Sequence, residues 1–417
     1  MKYLPQIKPC DVCSNPLGHF RFPSTKPISE DSLLESTFTR LRLFIALLLN
    51  PCTILNAEGL ELLSPREHQV VQRTNREIGT ISIEGRLLTN IDSKALVEAR
   101  VMTQEQEPTW QKLASNLDGD KFQAAIDSPS GGWYRLEVRV TVDGKVVAES
   151  TVEHVGIGEV FVVAGQSNSA NHGEVKQTTA TKRVANFDGK RWQLANDPQP
   201  GASGGGGSFI PALGDAISTR FDVPVGFIAC GIGATSVREW LPEGSSFPNP
   251  PTIERRVQKN SDGSWQCNGD AFANLVSRMK SQGKSGFRAV LWHQGESDAN
   301  QRDAARTLPG SLYREYLTKV IKTSRREIGR EVPWFVAQVS YHVPGDEESP
   351  DIRDAQAALW RDGTALQGPD SDALKGDLRE RNGQGVHFSE KGLHEHGLAW
   401  ANKVSPWLES RLPIKRD

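Results

Sequence analysis

Four short stretches of the chain carry residue types suited to acyl transfer. Gly165-Gln166-Ser167-Asn168-Ser169 follows the apolar run Val160–Ala164. A serine beside a glycine directly after a buried strand stands at a tight turn. Its hydroxyl and the N–H groups of the turn then face a crevice together, as a nucleophile with an oxyanion site requires. The same serine equally suits the N-cap of a following helix. Cys230-Gly231-Ile232-Gly233-Ala234-Thr235-Ser236 closes a second apolar run, and its small residues let a backbone amide approach a substrate oxygen. Trp292-His293-Gln294-Gly295-Glu296-Ser297-Asp298 delivers an imidazole, an amide and two carboxylates at the end of a third run. Buried groups of this kind cost several kcal/mol unless they are partnered, roughly speaking, so they need a partner or a function; either acid also reads as a helix cap. In Gly383-Gln384-Gly385-Val386-His387-Phe388-Ser389 the glycines make His387 a loop residue able to turn its ring into a crevice. His342 reads as a surface-loop histidine, His394 as solvated, and His396 as lying at the edge of the last helix's core face.

These residues need elements to position them. Val160–Ala164, Val225–Ala229, Ala289–Trp292 and Trp334–Val339 are continuous apolar runs, the mark of strands buried on both faces. Helical stretches at Ile210–Phe221, Ala271–Gln282, Leu312–Ile328 and Glu390–Val404 alternate with them. Alternation of this kind predicts an α/β domain with a parallel sheet, whose ligands bind beyond the carboxyl ends of the strands. The first three motifs stand at such ends. Upstream, from Gly79 to about Val155, apolar residues recur with a period of two, as in Ile81/Ile83 and Leu136/Val138/Val140. Turn signals such as Asp143-Gly144 separate the runs, which predicts a small all-β sandwich with a packing or ligand-contact role.

The chain has 417 residues, with Lys+Arg 49 against Asp+Glu 51 and a formal charge of −2. No basic field exists to hold a phosphate backbone, so nucleic acid is not an expected partner. No apolar run reaches the roughly 18 residues that span a bilayer, so an integral membrane protein is not expected either. Residues 1–57 read as a leader with a signal peptide at about 40–57. Arg40 and Arg42 form its positive flank, Leu43–Leu49 its apolar centre and Leu55-Asn56-Ala57 its cleavage site. Export to the periplasm or the exterior follows as an expectation. The remaining divisions are a linker at 58–78, the β-sandwich at 79–155, the main domain at 156–408 and a tail at 409–417. Cys10, Cys13 and Cys52 depart with the leader, leaving Cys230 and Cys267 either paired or as two buried thiols. No metal-ligand spacing survives that removal, and no cofactor is expected.

Taken together and in this order, Gly165-Gln166-Ser167-Asn168, Gly231–Thr235, Trp292–Asp298 and Gly385-Val386-His387 resemble the SGNH hydrolase superfamily. More narrowly, they are similar to the sialate O-acetylesterase and family 6 carbohydrate (acetylxylan) esterase group. The resemblance covers roughly residues 156–408, and the β-rich part resembles a domain attached to members of that group. It implies a three-layer α/β/α flavodoxin-like fold and cofactor-free hydrolysis of acetyl esters on sugar hydroxyls. It also implies Ser167 as nucleophile and His387 as base. The superfamily's aspartate, three residues before that histidine, is replaced by Gln384. The group's alternative acid is then matched by Glu296, with Asp298 in reserve. The oxyanion hole implied is the amides of Ser167 and Gly233 with Gln294 as third donor, while Asn168, Arg238 and Gln384 are expected at the substrate rim. The Gly201–Ser208 loop and the Trp240–Pro251 segment are candidates for contact with an acetylated carbohydrate. Two other readings stay open: a non-catalytic carbohydrate-binding protein on a degenerate scaffold, and a lipase or esterase of other specificity.

Overall fold

The computed structural model describes residues 59–88, 95–103, 108–113, 116–283 and 286–412. The expected leader and signal peptide lie outside the described residues. Among these residues no helix is long and apolar enough to cross a membrane.

One strand organises the molecule. Lys145–Gly165 runs without a break through the expected division at 155/156. Its first half pairs antiparallel with Gly131–Val142 in the β-rich part. Its second half pairs parallel with Val225–Ala229 on one side and Ala289–His293 on the other. The parallel run extends through Val184–Phe187 at one end and Trp334–Gln338 and Leu366–Asp370 at the other. Side chains alternate across a strand with a period of two, and the core splits accordingly. Val160, Val162 and Ala164 pack with residues of the helices Asp270–Lys280, Gly310–Ile328 and Pro350–Arg361. Phe161 and Val163 pack instead with Ile210–Phe221 and Glu390–Arg411. Both faces of its second half are therefore covered, which is why Val160–Ala164 shows no alternation.

In the β-rich part, Ile78–Leu87 sits between Leu60–Ser64 and Lys121–Pro129 in an antiparallel four-stranded sheet. Ile81 and Ile83 share a buried cluster with Val97, Ala99, Leu136, Val138 and Val140 from the larger sheet. Residues 58–78, expected as a linker, contain strands at Leu60–Ser64 and Gln69–Gln72. Each buries too few apolar residues to show a period. Where the long strand passes between the two regions, Glu159 is fully buried and held by Arg73 and Arg288, each at 2.7 Å, and by Gln72 at 3.0 Å. A buried carboxylate with two guanidinium partners escapes the penalty of an unpaired charge.

The last helix continues to Arg411 past Pro406, where the sequence pattern stops at Val404. Burial of Leu408 in the core beneath it offsets the lost hydrogen bond at the proline. Cys230 and Cys267 are free and buried, and burial pushes their thiols up to about 12 and about 11.

Candidate active site

The strand Lys145–Gly165 ends in a left-handed Gly165 with φ of 129°, where a side chain would meet the carbonyl of His293 at 2.0 Å. That close approach brings the first and third motifs together. Gln166 Oε1 accepts from the N–H of Ser297 at 3.0 Å, fixing the turn that carries Glu296. Ser167 opens a single 3₁₀ turn, Ser167–Ser169, and lines a cleft of about 810 Å³. Glu296, His342, Gln384 and His387 line the same cleft.

His387 reaches the cleft through a folded-back loop. Arg381, Asn382 and Gly383 all have left-handed backbone, with φ of 54°, 55° and 86°. They reverse the chain so that Glu380 N–H donates to the carbonyl of His387 at 2.9 Å. The Glu380 carboxylate then meets His387 Nδ1 at 3.0 Å. Gly385 makes this possible, because a Cβ there would sit 2.1 Å from Glu380 Cγ. The buried Arg379 pins the loop by donating to the carbonyls of Leu374, Ser371 and Val386. Burial lowers the His387 pKa below the ordinary histidine value, and the Glu380 charge opposes that shift. The imidazole is thus neutral near pH 7, with Nδ1 held by an acid and Nε2 free of any hydrogen bond among the described residues. This is the state of a general base.

The carboxylate in contact with His387 is Glu380, which the sequence did not single out; among the described residues Glu296, Asp298 and Gln384 make no hydrogen bond to that ring. Glu296 is 2 % exposed and its Oε1 accepts from Asn168 Nδ2 at 2.9 Å. Burial pushes its carboxyl up to about 7. Asp298 lies inside a closed network, accepting from Ser236 Oγ at 2.5 Å, from the N–H of Val237 at 2.8 Å and from Gln294 Nε2 at 2.7 Å. Arg238, expected at the rim, is 0 % exposed and pairs with Asp298 at 3.2 Å. It also donates to the carbonyls of Asn249, Pro250 and Arg306, which leaves nothing for a sugar. Gln294, expected as third oxyanion donor, is fully buried behind the cleft lining, with its Nε2 donating to Asp298 at 2.7 Å and to the carbonyl of Thr235 at 3.2 Å. Asn168 braces the Ser167 turn to the histidine loop, donating to Glu296 and to the carbonyl of Val386 at 3.2 Å. The Gly233 N–H donates to Ser203 Oγ at 2.6 Å.

His342 was expected at the surface but lines the cleft, held by Asp346 at 2.6 Å and by the carbonyl of Glu296 at 2.6 Å. His396 is fully buried, where Nε2 accepts from Trp400 Nε1 at 3.0 Å. Burial lowers its pKa well below the ordinary value. His293 is likewise fully buried and lowered to about 3 by burial. From the expected sugar-contact segments, Ser203 lines the cleft; Trp240 is buried, and the next residues, Thr252, Ile253 and Arg255, line the wall instead. A signal for Glu380 did exist in the sequence: an acid just before Arg381-Asn382-Gly383, with a glycine at 385 leaving it room.

Residues 157–405 match the family described as carbohydrate esterase, sialic acid-specific acetylesterase. A probable carbohydrate esterase of Arabidopsis thaliana is 24 % identical over 195 residues, covering 41 % of this chain and 64 % of that protein. The chain thus spans less than two thirds of that relative's length. Among solved structures, a carbohydrate acetylesterase from Xanthomonas citri aligns with a TM-score of 0.49 and 16 % identity, over 83 % of this chain and 73 % of that one. NanS aligns with a TM-score of 0.40 and 14 % identity, over 61 % of this chain and 97 % of that one.

Proposed function

The chain belongs to the carbohydrate esterase family of sialic acid-specific acetylesterases, and from that premise we propose that it removes acetyl groups from sugar hydroxyls with Ser167 as nucleophile. The observation that carries this reading is the pairing of His387 Nδ1 with Glu380 at 3.0 Å, in a cleft that Ser167 also lines. His387 Nε2 takes the proton of Ser167 Oγ as that oxygen attacks the acetyl carbonyl carbon. The Glu380 carboxylate balances the imidazolium that forms, and the Ser167 N–H donates to the oxyanion. Collapse of the tetrahedral intermediate breaks the bond to the sugar oxygen, which receives the proton from His387. Water then attacks the acetyl-enzyme with His387 again as base, releasing acetate and restoring Ser167.

An acetyl group fills a small part of about 810 Å³. The remaining space suits the sugar, with Arg255, Arg381 and Gln384 among the polar groups on its walls. The substrate class we assign to it is an acetylated carbohydrate, either sialate or a plant or algal polysaccharide. The parallel-sheet region is read as a three-layer flavodoxin-like domain, the β-rich region as an accessory sandwich, and the protein as exported. Hydrolysis of 4-nitrophenyl acetate, with acetate release from a panel of acetylated glycans, tests the reading. Wild type is expected to turn over and Ser167→Ala to be inert; equal rates for the two would overturn it.

A further inference from the structure

Ser203 lies in the glycine-rich loop beside the cleft, and its position is fixed from several sides. Its N–H donates to the carbonyl of Gly231 at 2.9 Å, and its carbonyl accepts from the N–H of Asn171 at 2.9 Å. Its Oγ accepts from the Gly233 N–H at 2.6 Å and lies 3.1 Å from His172 Nε2. The His172 ring in turn stacks on His387, with centroids 5.4 Å apart and planes 29° apart. Ser167, His172, Ser203, Gly233 and His387 all line the same cleft. The Gly233 amide is therefore already spent on Ser203, and Gln294 is buried away from the cleft.

We propose that the Ser203 hydroxyl is the donor that meets the acetyl oxyanion at the Gly233 side of the cleft. The assignment rests on Ser167 being the nucleophile. A hydroxyl has one proton and two lone pairs. The Gly233 N–H fills one lone pair; in the tautomer that carries its proton on Nε2, His172 fills the other and the proton of Ser203 is left for the cleft. Two accepted hydrogen bonds polarise the O–H and strengthen what it donates. Burial lowers the pKa of His172, and His387 adds to that, so the ring stays neutral and brings no second positive charge beside the imidazolium. Ser203 makes and breaks no bond. Gly233 and His172 are positioning residues behind it.

The opposite role would be a plug, in which Ser203 Oγ occupies the oxyanion's place and must swing away before substrate binds. Steady-state kinetics on 4-nitrophenyl acetate separates the two. As a donor, Ser203→Ala loses about 10²–10³-fold in kcat with KM changed less than about threefold. Ser203→Thr, which keeps the hydroxyl, recovers most of that loss. Phosphonylation of Ser167 by a methylphosphonate ester, which puts a charged oxygen in the same corner, slows in parallel in Ser203→Ala. A Ser203→Ala enzyme with wild-type or higher kcat overturns the inference, as does a loss confined to KM or shared equally by Ser203→Thr. An inert Ser167→Ala beside a fully active Ser203→Ala sinks this assignment alone. An active Ser167→Ala sinks the proposed function, and this assignment with it.

Discussion

Replacing Glu380 by glutamine removes the charge that faces His387 while keeping the shape of the side chain. The carboxylate meets Nδ1 at 3.0 Å, and the two side chains are 13 % and 23 % exposed, so the pair is neither dry nor fully solvated. A unit positive charge about 4 Å from a carboxylate, at an effective dielectric near 20, is stabilised by about 4 kcal/mol. That interaction exists only once His387 is protonated, in the transition state and not in the resting enzyme. It therefore acts on kcat, with a ceiling of about 10³-fold. A glutamine oxygen still accepts from Nδ1–H, retaining about 1 kcal/mol, so the expected loss is about 10²-fold. The pH profile supplies a second readout. Burial already lowers the His387 pKa and Glu380 opposes that, so kcat/KM should rise with pH through a midpoint below about 6.5. Glu380→Gln removes the opposing charge and moves that midpoint further down. Stopped or continuous assays of chromogenic acetate ester hydrolysis between pH 4 and 8 measure both. Were Glu380→Gln within about threefold of wild type, or Glu296→Gln the more damaging change, the assignment of the acid would be wrong.

Gly385→Ala should reproduce much of that loss, about 10-fold to 10²-fold in kcat with an unchanged circular dichroism spectrum, because its Cβ would lie 2.1 Å from Glu380 Cγ; full activity would refute the packing. Glu296 holds its proton in the folded state up to about 7, against an ordinary value of 4.5, so stability falls as pH rises across that window by about 3 kcal/mol. Glu296→Gln carries no such slope and should melt higher than wild type at pH 8 but not at pH 4, as read by thermal denaturation; parallel melting curves at both pH values would contradict this. Arg238→Ala strands Asp298 without its buried partner and should cost about 3–5 kcal/mol in urea unfolding, with KM of the surviving enzyme little altered. A large KM effect at unchanged stability would return Arg238 to the substrate rim.

Much of this molecule can be read from residue order alone. The apolar runs at 160–164, 225–229, 289–292 and 334–339 mark strands because a strand buried on both faces is apolar almost throughout, Gln338 being the one polar residue among them. Their ends bring Ser167, Gly233 and Glu296 to one cleft because parallel strands end on the same side. His387 is legible for a similar local reason, since its glycine neighbours forbid regular structure. What the order of residues does not settle is the direction of each side chain and the partners that claim it. Asp298 and Arg238 look like free functional groups in a motif, yet their hydrogen bonds are taken by Ser236 and the carbonyls of distant loops, while Glu296 commits Oε1 to Asn168 and leaves Oε2 without a partner among the described residues. Glu380 sits in an unremarked polar stretch, and only three consecutive left-handed residues turn it onto His387. Periodicity is written locally because burial acts residue by residue. Hydrogen-bond commitment is not, because a donor has one direction and its acceptor comes from wherever the folded chain happens to pass.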